Sequence, residues 1–253
     1  MKDLIIIKTE NNVTTVTLNR PEVHNAFNED LITDLLKIFQ TLASDQKTKV
    51  ILLTGSGKSF CAGADLNYMK SASQKTQKQN IRESLRMRKM FDVINSAPQP
   101  LIGLINGSAL GGGMGLVSVC DLVLAHEKAI FSFSEVKLGL APSVISPFVI
   151  QKIGISQARR LFLTGERFTV DFAKSINLVH EIYNDQNKQE KLDFFVNGLL
   201  KNGPQAMEAI KELLYENVNC KQKNIKNYTA EHISKSRASK EAQEKITDFF
   251  KRK

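Results

Sequence analysis

One glycine-rich stretch decides the fold of this chain: Asn106-Gly-Ser-Ala-Leu-Gly-Gly-Gly-Met-Gly115. It follows the apolar run Leu101–Ile105 and leads into Leu116–Val119, so it predicts a strand, a glycine-rich turn and then a helix. Such a turn presents unpaired backbone N–H groups at the N-terminus of a helix, where negative charge is favoured. The stretch therefore predicts a place where an anion, or a negative charge that develops during a reaction, is stabilised.

The patterns around this turn alternate between strands and helices, which predicts an α/β fold with right-handed crossovers. Strands are predicted at Leu4–Lys8, Val13–Leu18, Val50–Thr54, Leu101–Ile105, Leu122–Ala125, Ile130–Phe133 and Leu178–Ile182. Helices are predicted from an Asn28 N-cap to Ala43, and over Lys70–Asn95, Leu192–Lys201, Pro204–Asn217 and Ala238–Phe250. Because strand signals nearly vanish after Ser156, we expect an α/β core over residues 1–190 and a helical oligomerisation region over residues 191–253.

The composition is ordinary for a soluble globular protein, with 42% hydrophobic and 24% charged residues among 253. No apolar run is long enough to span a bilayer, and the N-terminal run lacks a cleavage site, so a cytoplasmic location is expected. The cysteines and histidines have no metal-ligand spacing, which predicts neither a disulfide framework nor a metal site. Cys61 is expected to be a small buried hydrophobic residue.

The net charge of +9 favours an anionic partner, which could be a nucleic acid, a membrane surface or a phosphorylated small molecule. Lysine and arginine are dispersed along the chain, with local groups at Arg82–Lys89 and at residues 251–253. No basic stripe is interleaved with aromatic residues, as single-strand binders have. A small phosphorylated molecule is therefore the preferred partner, no membrane partner is expected, and RNA binding through Arg82–Lys89 is kept as an alternative.

A second turn, Ala62-Gly63-Ala64-Asp65, also follows a predicted strand. By itself it could be an ordinary tight connection. Together with the first turn, it can offer two backbone N–H groups to the same oxygen, one from each turn, and two such donors make an oxyanion hole.

Glu135 follows a third predicted strand and is flanked by apolar residues. We therefore expect partial burial and a pKa suited to proton transfer, with an ordinary surface glutamate as the alternative.

Five motifs in register carry a resemblance to a known family. They are Arg20-Pro-Glu-Val-His-Asn-Ala-Phe-Asn28, Ser59-Phe-Cys-Ala-Gly-Ala-Asp-Leu66, Gly107-Ser-Ala-Leu-Gly-Gly-Gly113, Cys120-Asp121 and Ser134-Glu-Val-Lys-Leu-Gly139. In this order they resemble the crotonase family, the enoyl-CoA hydratases and isomerases. The resemblance implies a spiral of ββα units and a C-terminal helical region that builds homotrimers, often paired into hexamers. It also implies acyl-CoA substrates and no separate cofactor, because coenzyme A is part of the substrate.

The resemblance also assigns roles to individual positions. It implies that the backbone N–H groups of Ala64 and Gly112 form the oxyanion hole for the thioester carbonyl, and that Glu135 moves the proton. The residues implied to bind coenzyme A are Val23, His24, Ala62, Asp65, Leu66 and, near the chain end, Phe249 with Lys251 or Arg252.

The chain departs from the family at Gly115, where hydratases commonly carry a first glutamate beside the one that corresponds to Glu135. Two accounts remain open. Glu135 could shuttle a proton between carbons, as in single-glutamate isomerases. Alternatively, Glu135 could serve a hydratase by itself, with the volume vacated at Gly115 admitting a branched or polar acyl group.

A further local resemblance favours the hydratase. The stretch from Ser134 to Val149, followed by Ala158–Phe168, is similar to the bacterial methylglutaconyl-CoA and carboxygeranoyl-type hydratases. It implies 3-methylglutaconyl-CoA or another branched enoyl-CoA as substrate. Straight-chain hydratases usually have glycines where this chain has Ser143-Val-Ile-Ser146, so Ser143 or Ser146 is a candidate contact for an acyl carboxylate. N-capping of a helix by Ser146 is the alternative for that residue. A third class of function is an acyl-CoA-binding protein with little catalysis.

Overall fold

The computed structural model describes residues 3–72, 74–219 and 225–251 as an α/β fold. Its strands are, in chain order, β1 (Ile5–Glu10), β2 (Val13–Leu18), β3 (Val50–Gly55), β4 (Ser59–Cys61), β5 (Leu101–Ile105), β6 (Ser108–Leu110), β7 (Leu122–His126), β8 (Ile130–Ser132), β9 (Phe168–Thr169) and β10 (Glu181–Tyr183). Its helices are α1 (Glu29–Ala43), α2 (Leu66–Ala72), α3 (Gln77–Asn95), α4 (Gly112–Val119), α5 (Ser146–Thr164), α6 (Val170–Ser175), α7 (Lys188–Leu200), α8 (Pro204–Asn219), α9 (Ile225–Ala238) and α10 (Lys240–Lys251).

The strands divide between two sheets in a repeating order. The larger sheet has the order β1-β2-β3-β5-β7-β10, and the smaller has the order β4-β6-β8-β9. Three times the chain places one strand in the larger sheet and the next in the smaller one, and the strand pairs β3-β5, β5-β7, β4-β6 and β6-β8 are all parallel. The expected spiral of ββα units is therefore confirmed.

Helix α1 covers one face of the larger sheet with the apolar stripe that its sequence predicts. The Asn28 side chain caps it by accepting a hydrogen bond of 2.9 Å from the Leu31 N–H, as expected. The residues that it buries are Leu31, Ile32, Leu35, Phe39 and Leu42. They join one continuous core with the apolar side chains of β5, β7 and α4, so α4 is held rigidly inside the protein.

The opposite face of the larger sheet is covered by α7. Leu192 and Val196 of this helix pack against Leu52, Leu104 and Leu124 of the sheet. α7 extends across the expected boundary at residue 190, and its apolar face packs against the sheet of the α/β core. The division into two regions stays a prediction. Beyond α7, the chain is helical as expected, and Glu241 of α10 accepts hydrogen bonds from the first free N–H groups of α8.

Several elements differ from their sequence-based prediction. The single helix expected over Lys70–Asn95 is wrong, because Thr76 and Gln79 form a capping box that starts α3 separately from α2. The short strands β4, β6 and β9 and the helices α5, α6 and α9 were not predicted, and the last strand begins at Glu181 rather than Leu178. None of the helices in the described ranges is both long and apolar enough to cross a lipid bilayer.

Two alanine substitutions should shift the stability in opposite directions. An ideal Cβ on Gly107 would lie 2.0 Å from the Lys58 carbonyl oxygen, whereas a Cβ on Gly198 in α7 meets no atom within 4 Å. We expect Gly107→Ala to lower the free energy of unfolding by more than about 2 kcal/mol through overpacking. Gly198→Ala should raise it by about 0.5–1 kcal/mol, because glycine weakens a helix interior. Urea denaturation followed by circular dichroism measures both; equal stability of the two variants would contradict this packing.

Candidate active site

The two glycine-rich turns lie against each other at one edge of the smaller sheet. β4 and β6 are parallel neighbours, and each turn begins where one of these strands ends. An ideal Cβ on Gly63 would lie 3.1 Å from the Gly112 nitrogen and 2.8 Å from the Leu110 oxygen. Any side chain at Gly63 would therefore push the turns apart, and its φ of +87° also favours glycine.

Two backbone N–H groups at this contact have no acceptor within the described part of the chain: those of Ala64 and Gly112. The Phe27 N–H donates to the Gly63 oxygen and the Asp65 N–H donates to the Phe27 oxygen, so the intervening Ala64 N–H points away from Phe27. Gly112 is the first residue of α4, and its N–H has no acceptor inside the helix. The structure thus brings together the two donors that the sequence predicted.

Glu135 lies beside these turns, on a short 3₁₀ helix at Ser134–Leu138 that follows β8. The Gly111 N–H donates to the Ser132 oxygen at 2.9 Å, which holds this segment against the second turn. An ideal Cβ on Gly111 would lie 3.5 Å from Glu135 Oε1. The other carboxyl oxygen, Oε2, is buried without a hydrogen-bond partner, and burial raises the pKa of Glu135 above its usual value.

The partial burial of Glu135 was expected from four flanking apolar residues, of which the structure buries only Phe133. Val136, Leu138 and Leu140, which follow it, are exposed at 38%, 60% and 53%. The second glycine turn also lies close to the carboxyl group, since an ideal Cβ on Gly111 would lie 3.8 Å from Glu135 Cδ. A raised pKa keeps more of the protonated form near neutral pH, which suits a group that both accepts and donates a proton.

The vacated volume expected at Gly115 does not exist. Gly115 is buried, and an ideal Cβ there would lie 2.4 Å from Ile145 Cγ2 and 2.7 Å from Phe91 Cζ. Gly115 lies in α4, four residues after the N-cap Gly111, which is close to Glu135. The space of a second carboxylate is therefore filled with apolar side chains, and the expectation that Gly115 admits part of the acyl group is wrong.

Asp65 anchors the first turn. Its Oδ2 accepts a hydrogen bond of 2.9 Å from Arg20 in a nearly buried ion pair, and its Oδ1 accepts one of 2.9 Å from the Asn67 N–H. Burial by itself would raise the pKa of Asp65, but the hydrogen bonds from Arg20 and Asn67 outweigh it and lower the pKa. Both oxygens of Asp65 thus hold the first turn in position, and its contact with the substrate stays a prediction.

Val23 and His24 lie next to the first turn, as their expected role requires. The His24 carbonyl accepts a hydrogen bond of 3.0 Å from the Ala62 N–H, and its imidazole Nδ1 lies 3.0 Å from Ser59 Oγ. Val23 is half-buried and His24 is exposed. Contact of these residues with coenzyme A stays a prediction.

The remaining expected positions are less informative. Ser143 is exposed, and its hydroxyl lies 3.4 Å from the Ala141 carbonyl. N-capping by Ser146 is wrong: Ile145 occupies the N-cap of α5, and the Ser146 hydroxyl donates backward to the Ser143 carbonyl at 3.0 Å. Arg252 lies outside the described residues, as do the side chains of Leu66 and Phe249.

Two residues that support the site were not singled out from the sequence: Phe27 and Arg20. The Phe27 backbone is hydrogen-bonded to the first turn. The Phe27 ring packs against the second turn, since an ideal Cβ on Gly112 would lie 3.1 Å from the ring. Arg20 holds Asp65 and also donates to the Ala26 carbonyl. Both belong to the Arg20–Asn28 motif, so their place in that motif was the available signal.

Other candidate features do not form a site. Cys61 is fully buried as expected, and burial raises the pKa of its thiol to about 12. Within the basic group at Arg82–Lys89, Arg86 pairs with Glu29 and Arg88 pairs with Asp92, which reduces the free positive charge. No group of three potential metal ligands occurs within the described ranges.

Comparisons with known proteins agree with this geometry. A family model described as enoyl-CoA hydratase/isomerase matches residues 8–253. The chain is 31% identical to a 2,3-dehydroadipyl-CoA hydratase of Escherichia coli (83% of this chain, 81% of the relative) and 35% identical to an enoyl-CoA hydratase of Alternaria alternata (78% and 65%). The crystal structure of an enoyl-CoA hydratase from Shewanella pealeana superposes with a TM-score of 0.94 at 34% identity, over 99% of this chain and 94% of that one.

Removing the Glu135 charge should change how stability depends on pH. Because its pKa is raised in the folded protein, the folded state binds more protons than the unfolded state above about pH 4.5, and stability falls as pH rises through the raised pKa. The variant Glu135→Gln has no carboxyl group at this position, so it does not lose stability in this way as pH rises. We expect its free energy of unfolding, relative to wild type, to be higher at pH 8 than at pH 4. Urea titrations at both pH values measure this, with the exposed Glu22→Gln as control; a pH-independent difference would contradict the buried carboxyl.

Gly115→Glu should not create a second working carboxylate. The new side chain would collide with Ile145 and Phe91, so we expect a loss of at least about 1–3 kcal/mol in the free energy of unfolding. Shortening the neighbour in the double variant Gly115→Glu/Ile145→Ala should recover part of that loss. A double-mutant cycle of unfolding free energies measures the coupling. Additive effects would show that Ile145 does not occupy the space.

Proposed function

Because this chain belongs to the enoyl-CoA hydratase/isomerase family, we propose that it adds water to a 2-enoyl-CoA thioester with Glu135 as its proton-transferring carboxylate. The preferred substrate is 3-methylglutaconyl-CoA or another branched enoyl-CoA. One observation carries the proposal: a carboxyl group of raised pKa lies beside two glycine turns that present free backbone donors.

The proposed role of the turns is to bind the thioester carbonyl oxygen. The N–H groups of Ala64 and Gly112 would donate to it together, and the N-terminus of α4 adds its positive dipole end. When a nucleophile attacks the conjugated alkene, negative charge moves onto this oxygen and the hydrogen bonds strengthen. One such donor typically contributes about 2.7–4 kcal/mol to transition-state stabilisation.

The proposed role of Glu135 is to move one proton from water to carbon. Its carboxylate accepts a proton from water while the water oxygen bonds to C3 and the C2–C3 π electrons move to form the enolate. The enolate then takes the same proton at C2 and the thioester carbonyl reforms. The carboxylate is regenerated, and the sum of the two steps is the addition of H and OH across the double bond.

The proposed substrate class rests on the local resemblance and on one relative. The Escherichia coli relative is named a 2,3-dehydroadipyl-CoA hydratase, so its acyl group ends in a second carboxyl group, as that of 3-methylglutaconyl-CoA does. The exposed Ser143 hydroxyl is a candidate contact for such a carboxylate. The net charge of +9 suits the phosphates of coenzyme A, for which we propose contacts at Val23, His24, Ala62, Leu66, Phe249 and Arg252.

We also propose that the chain works as a homotrimer or a hexamer. The helix α8 leaves Ile210, Leu214 and Val218 exposed at 53%, 60% and 63%. These residues are four apart and share one helix face, which is typical of a surface that packs against another helix.

An enoyl-CoA isomerase is the second candidate function, and one observation favours it. The apolar packing of Ile145 and Phe91 at Gly115 leaves Glu135 without a second carboxylate at that position. An isomerase needs only one such group, because it removes a proton at C2 and returns it at C4. An acyl-CoA-binding or RNA-binding protein with little catalysis is the alternative of another class, and the paired Arg86 and Arg88 argue against its RNA-binding form.

Purified protein should be assayed with 3-methylglutaconyl-CoA, crotonyl-CoA and a 3-enoyl-CoA. We expect hydration of the first at the highest kcat/KM, measured by loss of the conjugated-thioester absorbance and by product mass. Glu135→Gln should lower this rate by about 10²–10⁴-fold, with its fold preserved by circular dichroism. Activity on the 3-enoyl-CoA alone would rule out the hydratase, and a near-normal rate for the variant would remove Glu135 from the mechanism.

A further inference from the structure

A hydroxyl group without a protein partner lies next to the proposed catalytic carboxylate. Ser134 is half-buried, and its Oγ forms no hydrogen bond within the described ranges. An ideal Cβ on Gly111 would lie 3.7 Å from this Oγ and 3.5 Å from Glu135 Oε1. Both oxygens therefore lie near the same side of the second turn, the side from which a larger residue than Gly111 would project its side chain.

The hydration proposed above requires that a water molecule be held as well as deprotonated. A single carboxylate oxygen fixes one hydrogen of the water and leaves its rotation free, so a second polar group is needed to aim its lone pair at C3. The place of a second carboxylate at Gly115 is filled by Ile145 and Phe91, which are almost fully buried and apolar. The second group must therefore come from another position.

We infer that the Ser134 hydroxyl is a further catalytic group, which holds the reacting water together with Glu135. The inference rests on the proposed hydration. Glu135 Oε1 accepts one hydrogen of the water and takes it as a proton, while Ser134 Oγ accepts the other hydrogen. The water oxygen then bonds to C3 and keeps that second hydrogen as the product hydroxyl. Ser134 gains and loses nothing, and the proton on Glu135 passes to C2.

The backbone explains why this hydroxyl is held in place. Ser132, two residues earlier, accepts the Gly111 N–H at 2.9 Å, and its own hydroxyl donates to the Gly165 carbonyl at 3.1 Å. The Leu140 N–H donates to the Glu135 carbonyl at 3.1 Å and closes the segment on its other side. Ser134 and Glu135 therefore stand on a short segment that is anchored at both ends.

The inference separates two reactions that both need Glu135. Hydration needs the bound water, whereas exchange of the C2 proton of a saturated acyl-CoA in D₂O needs only the carboxylate and the oxyanion donors. Ser134→Ala should lower kcat/KM for hydration by about 10- to 100-fold, the contribution of a hydrogen bond to a charged reacting group. The same variant should change the exchange rate by less than about threefold, since that step uses general-base catalysis alone.

The experiment compares wild type, Ser134→Ala, Ser134→Thr and the remote control Ser175→Ala, each with the 2-enoyl-CoA that wild type hydrates and with its saturated counterpart. Ser134→Thr keeps the hydroxyl and should retain most of the hydration. Unchanged hydration by Ser134→Ala, or an equal fall in hydration and exchange, would overturn the inference while leaving the hydratase standing. If wild type exchanges the C2 proton but hydrates no 2-enoyl-CoA, the proposed function fails and the inference fails with it.

Discussion

The contact between Gly63 and Gly112 is the constraint on which the rest of the site depends. The two turns can come this close only because neither residue carries a side chain: an ideal Cβ on Gly63 would lie 3.1 Å from the Gly112 nitrogen. Parallel pairing of β4 with β6 brings the turns to the same edge, and Phe27 binds the first turn by two backbone hydrogen bonds while its ring supports the second. In the proposed oxyanion hole, this close approach of backbone to backbone is what would let two N–H groups reach one oxygen.

Charge is arranged along α4 so that this edge favours an anion. The N-terminus of the helix is Gly112, and its C-terminal end is met by Lys152, whose Nζ donates to the Cys120 carbonyl at 2.6 Å. Burial lowers the pKa of Lys152, because removing its charged ammonium group from water costs free energy. A cation at the C-terminus and an anion at the N-terminus both complement the helix dipole.

The fold has adapted to the absence of a second carboxylate by packing rather than by leaving a cavity. A carboxylate in this position would need hydrogen-bond donors, whereas the atoms nearest to it, on the side chains of Ile145 and Phe91, are apolar. Apolar side chains fill the space at no such cost. In the proposed reaction the polar chemistry is thereby confined to Glu135 and its immediate neighbours, and the rate would depend on how well this one carboxyl group is positioned.

The sequence by itself determined the features that are local in the chain. The α/β class, the α1 cap at Asn28 and the buried strands β3 and β5 follow from patterns within about ten residues, because periodicity and capping are short-range effects. The roles given to Ala64, Gly112 and Glu135 came with the family resemblance and stay a prediction. Even the family could be identified, since five short motifs occur in the expected order.

Tertiary structure alone decided what surrounds those positions. The sequence showed that Gly115 lacks a side chain, but Ile145, thirty residues later, and Phe91, in another helix, occupy the space that this leaves. It placed Asp65 in a binding loop, but Arg20 on a distant strand end takes up its charge. It attributed the burial of Glu135 to its neighbours in the chain, but of these only Phe133 is buried, and the turn at Gly111, distant in sequence, lies close to the carboxyl group. Volume, pairing and burial depend on residues far apart in sequence, so only the folded chain could determine them.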